Sequence, residues 1–393
     1  MAIGIVTNES SLALKVEVTE GTYVAPAAGT DYIEVLSDGL ELNKTREELE
    51  RNILSSTVEA EASRVGIADV QGSIGVELKA SATQGSAPQS MDVLLRSLLG
   101  GKRQITSEQT SDNTTHTSTT IFFADTSDFA VGDIVLVKEA GAYECRPISA
   151  ITANTSITFP FALDNGAPAN SVVVAKTTTY YHDTANAITF SAEHNLGTGA
   201  IKQKAAGLRA ASGSIENWTV GQLPTMSFAV QGLSLVREDA NAAFSPNFAA
   251  DGDVPVALSA CAWLGGEKLQ YTELSLSIEN TISYIQSACS PDGRISSRIT
   301  EQVVTASINP YMDNSDLTNT WDKFNDNDDV SLFFYAYNPT STDGEFSEVV
   351  AGWLPQCKIT ASPVADVDGI VAEAIELKAF RNSGNDTVFL GFI

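Results

Sequence analysis

Two stretches of this chain follow one plan, strand then short helix then strand, and that plan constrains the fold more than any single motif. "EQVVTASINPYM" and "VSLFFYAYNP" are rich in β-branched and aromatic residues and bounded by polar turn formers, the pattern of strands. Between them, Leu317, Trp321 and Phe324 are spaced four and three apart, one face of a helix predicted over 316–325. Ser315 or Asp316 stands where a side-chain oxygen would cap its orphaned N–H groups. The same stretch is acidic enough to suggest a calcium loop. Such a loop needs Gly at its sixth position and Glu at its twelfth. Counting from Asp313, the sixth residue is Thr318 and no Gly follows in the stretch, so the helix is expected.

The plan occurs earlier too. "DVQGSIGVELKA" (69–80) reads as a strand. "SAPQSMDVLLRSLLGG" follows, with Met91, Leu94, Leu95 and Leu98 on one helical face, Ser at the entry and Gly100-Gly101 as the stop. Upstream, "LELNKT" (40–45) has a counterpart in "LSIENT" (276–281). Downstream, "GLRAASGSIENWTVGQLPTMSFAVQG" (207–232) and "GWLPQCKITASPVADVDGIVAEAIELKAF" (352–380) each read as strand, turn, strand, the second turning at "DVDG". Four elements in one order, twice, predict an internal duplication. The alternative is an unrelated run of strands and helices within one α+β chain.

One segment breaks the parallel. Residues 103–182 open with the Ser/Thr-rich "ITSEQTSDNTTHTSTT" and continue as short alternating strands with Gly and Asn-Gly turns, the signature of a small β-barrel or sandwich. An autonomous module inserted into a loop is predicted there. Residues 237–260 read as the linker between halves. The expected fold class is therefore mainly β: β-sandwich domains, each with a flanking helix, duplicated, plus the insert. Its predicted domains are 1–102 with 183–240, the insert 103–182, and 241–393.

Composition narrows the function. With 49 acids against 23 bases the formal charge is −26, which argues against gripping phosphate backbones with clustered Lys and Arg. Cys145, Cys261, Cys289 and Cys357 lie far apart and read as reduced, mostly buried thiols. His116, His182 and His194 show no zinc spacing, and no metal or cofactor is expected. The start, "MAIGIVTNESSLALKVEV", lacks the basic region of a signal peptide, and no apolar run approaches the roughly 20 residues of a membrane span. No nucleophile elbow, P-loop or dinucleotide fingerprint appears, and Asp366 and Asp368 sit in a turn context, so an enzyme is not expected.

The chain resembles the major tail tube proteins of long-tailed, siphovirus-like bacteriophages. The resemblance rests on "GTYVAP", "DYIEVLSDGLELNKTREELERN", a long polar stretch, "VQGSIGVEL", "MDVLLRSLLGG" and "GSIENWTVGQLPTMSFAVQG". It implies β-sandwich domains whose sheets join between subunits into a barrel, and rings that stack into a virion tube conducting DNA. The expected assembly is a homotrimer of two-domain chains, pseudo-hexameric, built in the host cytoplasm. It would meet tape measure and terminator proteins, with genomic DNA passing the lumen unbound and no membrane involved.

The resemblance also makes "NKTREELERNILSSTVEAEASR" (43–64) the contact between stacked rings, with Arg46, Glu47, Glu48, Glu50 and Arg51 as candidates. Arg294 and Arg298 would be the second-half counterparts. On the residues alone, 43–64 reads equally as a solvated helix with internal Glu–Arg pairs. A tail terminator, a head-to-tail adaptor, a capsid decoration protein and a β-rich surface-binding or adhesin protein stay open as alternatives.

Overall fold

The computed structural model describes residues 9–393 apart from 28, 55–58, 60, 112–115, 140, 170, 198–200, 240–245, 249–250, 259, 291, 313–319 and 339–346. The chain is mainly β. It opens with β1 (Ser11–Val16), β2 (Tyr32–Ile33), β3 (Leu40–Leu49) and β4 (Arg64–Glu77), followed by the helix α1 (Asp92–Leu98) and β5 (Gly100–Ile105). Seven short strands come next: β6 (Gln109–Thr110), β7 (Thr120–Phe122), β8 (Ile134–Glu139), β9 (Ala142–Pro147), β10 (Ala150–Thr152), β11 (Ser156–Thr158) and β12 (Val173–Val174). The first half closes with β13 (Thr177–His182), β14 (Phe190–Leu196), β15 (Ile201–Thr219), β16 (Thr225–Gly232) and β17 (Ser234–Asp239).

The second half begins with β18 (Ala260–Leu264), β19 (Glu267–Leu269), β20 (Tyr271–Gln286) and β21 (Arg294–Pro310). The helix α2 (Asp322–Asp326) follows, then β22 (Val330–Asn338) and β23 (Ser347–Ala361). β24 (Val364–Val367), β25 (Ile370–Glu373), β26 (Ile375–Ala379) and β27 (Phe389–Phe392) end the chain.

Strands β3, β4, β16 and β15 pair in that order, and β20, β21, β26 and β23 pair in the same order. The registers correspond: Leu40 faces Ile74 where Leu274 faces Ile308, and Val230 faces Gly72 where Leu377 faces Ala306. Even the bulges match, between Ala210 and Ser212 in β15 and between Ile359 and Ala361 in β23. This register sets "LELNKT" against residues from Leu274, two positions upstream of the "LSIENT" expected from the letters. β15 also bonds β20, so the eight strands form one continuous antiparallel sheet.

Behind that sheet, β1, β14 and β15 in the first half and β18, β22 and β23 in the second form a further layer. Between the layers lies a continuous core that includes Leu12, Ile74, Trp218, Phe228, Ile278, Ile308, Phe334 and Leu377. Helix α1 adds Leu94, Leu95 and Leu98, spaced to share a face and fully buried. Each such Leu contributes roughly 1.5–3 kcal/mol. Gly100 ends the helix at φ +91°, and a Cβ there would meet the Asp183 carbonyl oxygen at 1.9 Å, so only Gly fits. The entry is not capped by the Ser expected from the sequence. Asp251 reaches across from the linker and accepts the N–H groups of Gln89 and Ser90 at 2.8 and 2.9 Å.

Helix α2 corrects another expectation. Trp321 stands at its N-terminus, 46% exposed, instead of in the core. Asn327 ends the helix, turning left-handed at φ 56°; Phe324 packs against the core, and Trp321 covers that ring from outside at 5.8 Å. Leu317, Ser315 and Asp316 lie outside the described residues. The stretch 43–64 is no helix where it is described. β3 and β4 hold a ladder from Leu40–Ile74 out to Leu49–Arg64, because the β-branched β4 offers a full row of partners that outweighs the helix formers of "TREELE".

The segment 103–182 has two small sheets, β6-β12-β8-β9 and β10-β11-β7, and its own core of Ile121, Phe123, Phe129, Ile157 and Phe159. Its flanking strands, however, belong to the large sheet: β5 pairs β13, and β13 pairs β27. Nor does it stand apart. β8 is buried on both faces, Val135 and Val137 pointing into the segment's own core. Ile134 and Leu136 meet Trp263, Phe333, Trp353 and Phe389 of the second half. A Cβ on Gly391 would come within 2.6 Å of Ile134, so the contact needs a bare backbone there. Arg146, wholly buried, lies over Trp263 at 4.7 Å and is neutralised by Glu144 and Asp164 at 2.9 and 2.8 Å. The cysteines are free; Cys145 and Cys357 are buried, Cys261 is intermediate and Cys289 is exposed, and burial pushes the Cys357 thiol up to about 12.

Candidate functional site: a polar sheet face and two hairpin arms

Alternation along the eight-stranded sheet sends every second side chain away from the core. That outward face carries small hydroxyl and amide side chains, among them Asn43, Gln71, Ser73, Ser214, Ser227, Ser275, Ser277 and Thr305. They bond one another laterally: Ser275 and Ser307 hydroxyls lie 2.7 Å apart, and Gln71 donates to Asp69 at 2.6 Å. Charge on the face comes mainly from Glu41, Asp69, Glu216, Glu279 and Glu376, set against Lys378 and against Lys358, whose ammonium is paired with Asp329 at 2.7 Å. Such a surface offers a polyanion neutral dipoles and carboxylates, and little counterion to release.

At one end of the sheet two hairpins extend beyond the shared register, β3–β4 and β20–β21. They receive the seven residues singled out from the sequence and treat them differently. Arg294 and Arg298, on β21, are used inside the chain. Arg294 bonds Asp69 at 2.8 Å and stacks on Tyr284 at 3.9 Å. Burial raises the Tyr284 hydroxyl's pKa against the opposing pull of Arg294. Arg298 bonds Glu20 at 2.7 Å. Glu20 also accepts the Ser297 N–H at 2.6 Å and lies 3.7 Å from the buried Arg209. Burial works to raise its pKa, but the bonds from Ser297 and Arg298 hold it below the ordinary carboxylate value. These contacts seat the second hairpin over the first half.

Arg46, Glu47, Glu48, Glu50 and Arg51 lie together on the first hairpin, and all five are exposed. Arg51 faces Glu61 at 3.7 Å across it. Apolar residues are exposed beside them: Leu49 at 48%, Ile53, Leu54 and Val65. Glu20, Asp69, Tyr284 and Arg209 escaped the sequence reading. Their partners stand from 10 to 278 positions away, and no spacing rule links them.

Among the described residues no group of three or more His, Cys, Asp or Glu is placed to hold a metal, and no helix is long and apolar enough to cross a membrane. Fold and face together define a β-rich protein with a polar sheet surface. A family model described as phage tail tube protein matches residues 7–379, and the chain belongs to that family, a structural component of phage tails. A comparison with curated proteins finds no match.

Proposed function

We propose that this chain is the subunit of a phage tail tube: it assembles into stacked rings whose channel conducts DNA during ejection. Each chain carries two duplicated tube units, residues 1–102 with 183–240 and residues 241–393, with 103–182 as an insert on the outside. The observation that carries the reading is the eight-stranded sheet, in which two four-stranded sets of one order and register are already joined edge to edge at β15–β20. Repeating that join between chains closes a ring, and closure removes the sheet edges that otherwise invite aggregation. Three chains would supply six units.

The polar face then lines the channel, where hydroxyls and carboxylates let a polyanion slide. The first hairpin, with Arg46, Glu47, Glu50 and Arg51, becomes the contact to the neighbouring ring. Tape measure and terminator proteins would meet the tube inside and at its end. Negative-stain imaging of the purified chain tests this. Long hollow tubes are expected; closed single rings would indicate a terminator, and monomers would contradict the reading.

A further inference from the structure

We propose that the next copy of this chain lays its β3 edge against the outer edge of β23–β24 in the register of the internal β15–β20 seam. This sets Leu42 against Val364, Lys44 against Ser362 and Thr45 against Ala361. The inference rests on the ring reading above and specifies its seam.

The internal seam supplies the template. It pairs Ser212 with Glu279, Gly213 with Ile278 and Ile215 with Leu276. Phe190 faces Leu208 where Val330 faces Cys357, and the shared bulge follows at the same spacing, so Ser212 corresponds to Ala361 and Ile215 to Val364. On the other side, the match of Leu40–Ile74 to Leu274–Ile308 makes Thr45, Lys44 and Leu42 the counterparts of Glu279, Ile278 and Leu276. The β23 hairpin keeps its register through Pro363, since Ala361 faces Glu376 and Val364 faces Glu373.

Hydrogen-bond direction gives an independent check. In an antiparallel strand, alternate residues turn both backbone groups to one neighbour or to the other. The Ala374 N–H donates to the Pro363 carbonyl at 3.0 Å, so Pro363 points into its own hairpin. Ser362 and Val364 therefore point outward, and the donor that Pro lacks is missing from the inner ladder, not from the free edge. The Gly75 N–H donates to the Gly39 carbonyl at 2.8 Å, so Gly39 points to β4, and Leu40, Leu42 and Lys44 point outward. The transferred register sets outward residues against outward residues; a slip of one would not. It also gives Val364, 70% exposed in the lone chain, the apolar partner that its counterpart Ile215 has in Leu276.

Ala361 and Thr45 form a non-bonded pair in this ladder, about 4.5 Å apart at Cα, within reach of a disulfide. The test uses the full chain with the exposed Cys289→Ser, adding Thr45→Cys and Ala361→Cys, assembled and oxidised with copper phenanthroline. On a non-reducing gel the monomer band should be lost to covalent dimers and trimers that reduction reverses. Ser212→Cys with Glu279→Cys, the internal equivalent, should close within one chain and so calibrates the oxidation. Tubes in which Asn43→Cys or Glu47→Cys cross-links to Ala361→Cys in place of Thr45→Cys would overturn the register and leave the ring reading standing. A wild-type chain that forms no ring would overturn both. Hydrogen exchange on the wild type is the second measurement. The outward amides of Leu40, Leu42, Lys44, Ser362 and Val364 should be protected in tubes and exchange freely in monomers, and free exchange of these amides in both states would sink the proposal.

Discussion

The two hairpin arms have matching origins in the sheet and different surroundings. The β20–β21 arm lies over the first half of its own chain, tied by Arg294 to Asp69 and by Ser297 and Arg298 to Glu20. The β3–β4 arm exposes Leu49, Ile53, Leu54 and Val65. The difference teaches how one sequence plan serves two ends: one arm is tied down within its own chain and the other is left exposed.

The largest effect is expected at the seat of the second arm. Glu20→Ala leaves Arg209 buried with its carboxylate partner gone, and should cost the monomer about 3 kcal/mol in urea unfolding, as breaking buried pairs does. A loss below about 0.5 kcal/mol, ordinary for surface changes, would mean the arm is not seated through Glu20. Next comes Arg294→Ala, which removes a partly buried ion pair and a ring stack and should cost about 1 kcal/mol. Its effect should vanish when Tyr284 and Asp69 are already replaced.

The first arm should answer to the opposite readout. Leu49→Ser with Leu54→Ser should leave monomer unfolding within about 0.5 kcal/mol of wild type, yet abolish stacking into tubes. Intact tubes would erase the contrast between the arms.

The smallest effect is on pH dependence. Glu20's pKa is lowered in the fold, so its stabilisation is present above the ordinary 4.5 and is lost as pH falls through the folded value. His194 adds to the same acid limb from higher pH. Burial holds its pKa below the usual 6.5, so its stabilisation is full above that value and fades as pH drops. Glu20→Gln should flatten the limb below pH 4.5 and leave the part near pH 6 unchanged. An identical acid limb in both proteins would count against the seat.

Much of the fold is legible in the sequence because periodicity is local. The α1 face of Leu94, Leu95 and Leu98 and the turns at 220–224 and 366–369 can be read without a partner. The exposure of Trp321 cannot, since its spacing is right for a core face and only the packing around α2 turns it outward. The "IVLV" of β8 announces burial on both faces, but not that one face meets the aromatics of the second half. At the candidate site, the exposed Arg46, Glu47, Glu50 and Arg51 were visible as a mixed-charge run. The fate of Arg294 and Arg298 was not, because it is set by acids more than 200 residues upstream.

Averaged end-on electron micrographs of the assembled chain bear most directly on the claim that one chain supplies two wall units. The insert occurs once per chain against two sheet sets. The wall should therefore have sixfold-like spacing with three outer protrusions. Six identical protrusions per ring would mean one wall unit per chain, and would contradict the account.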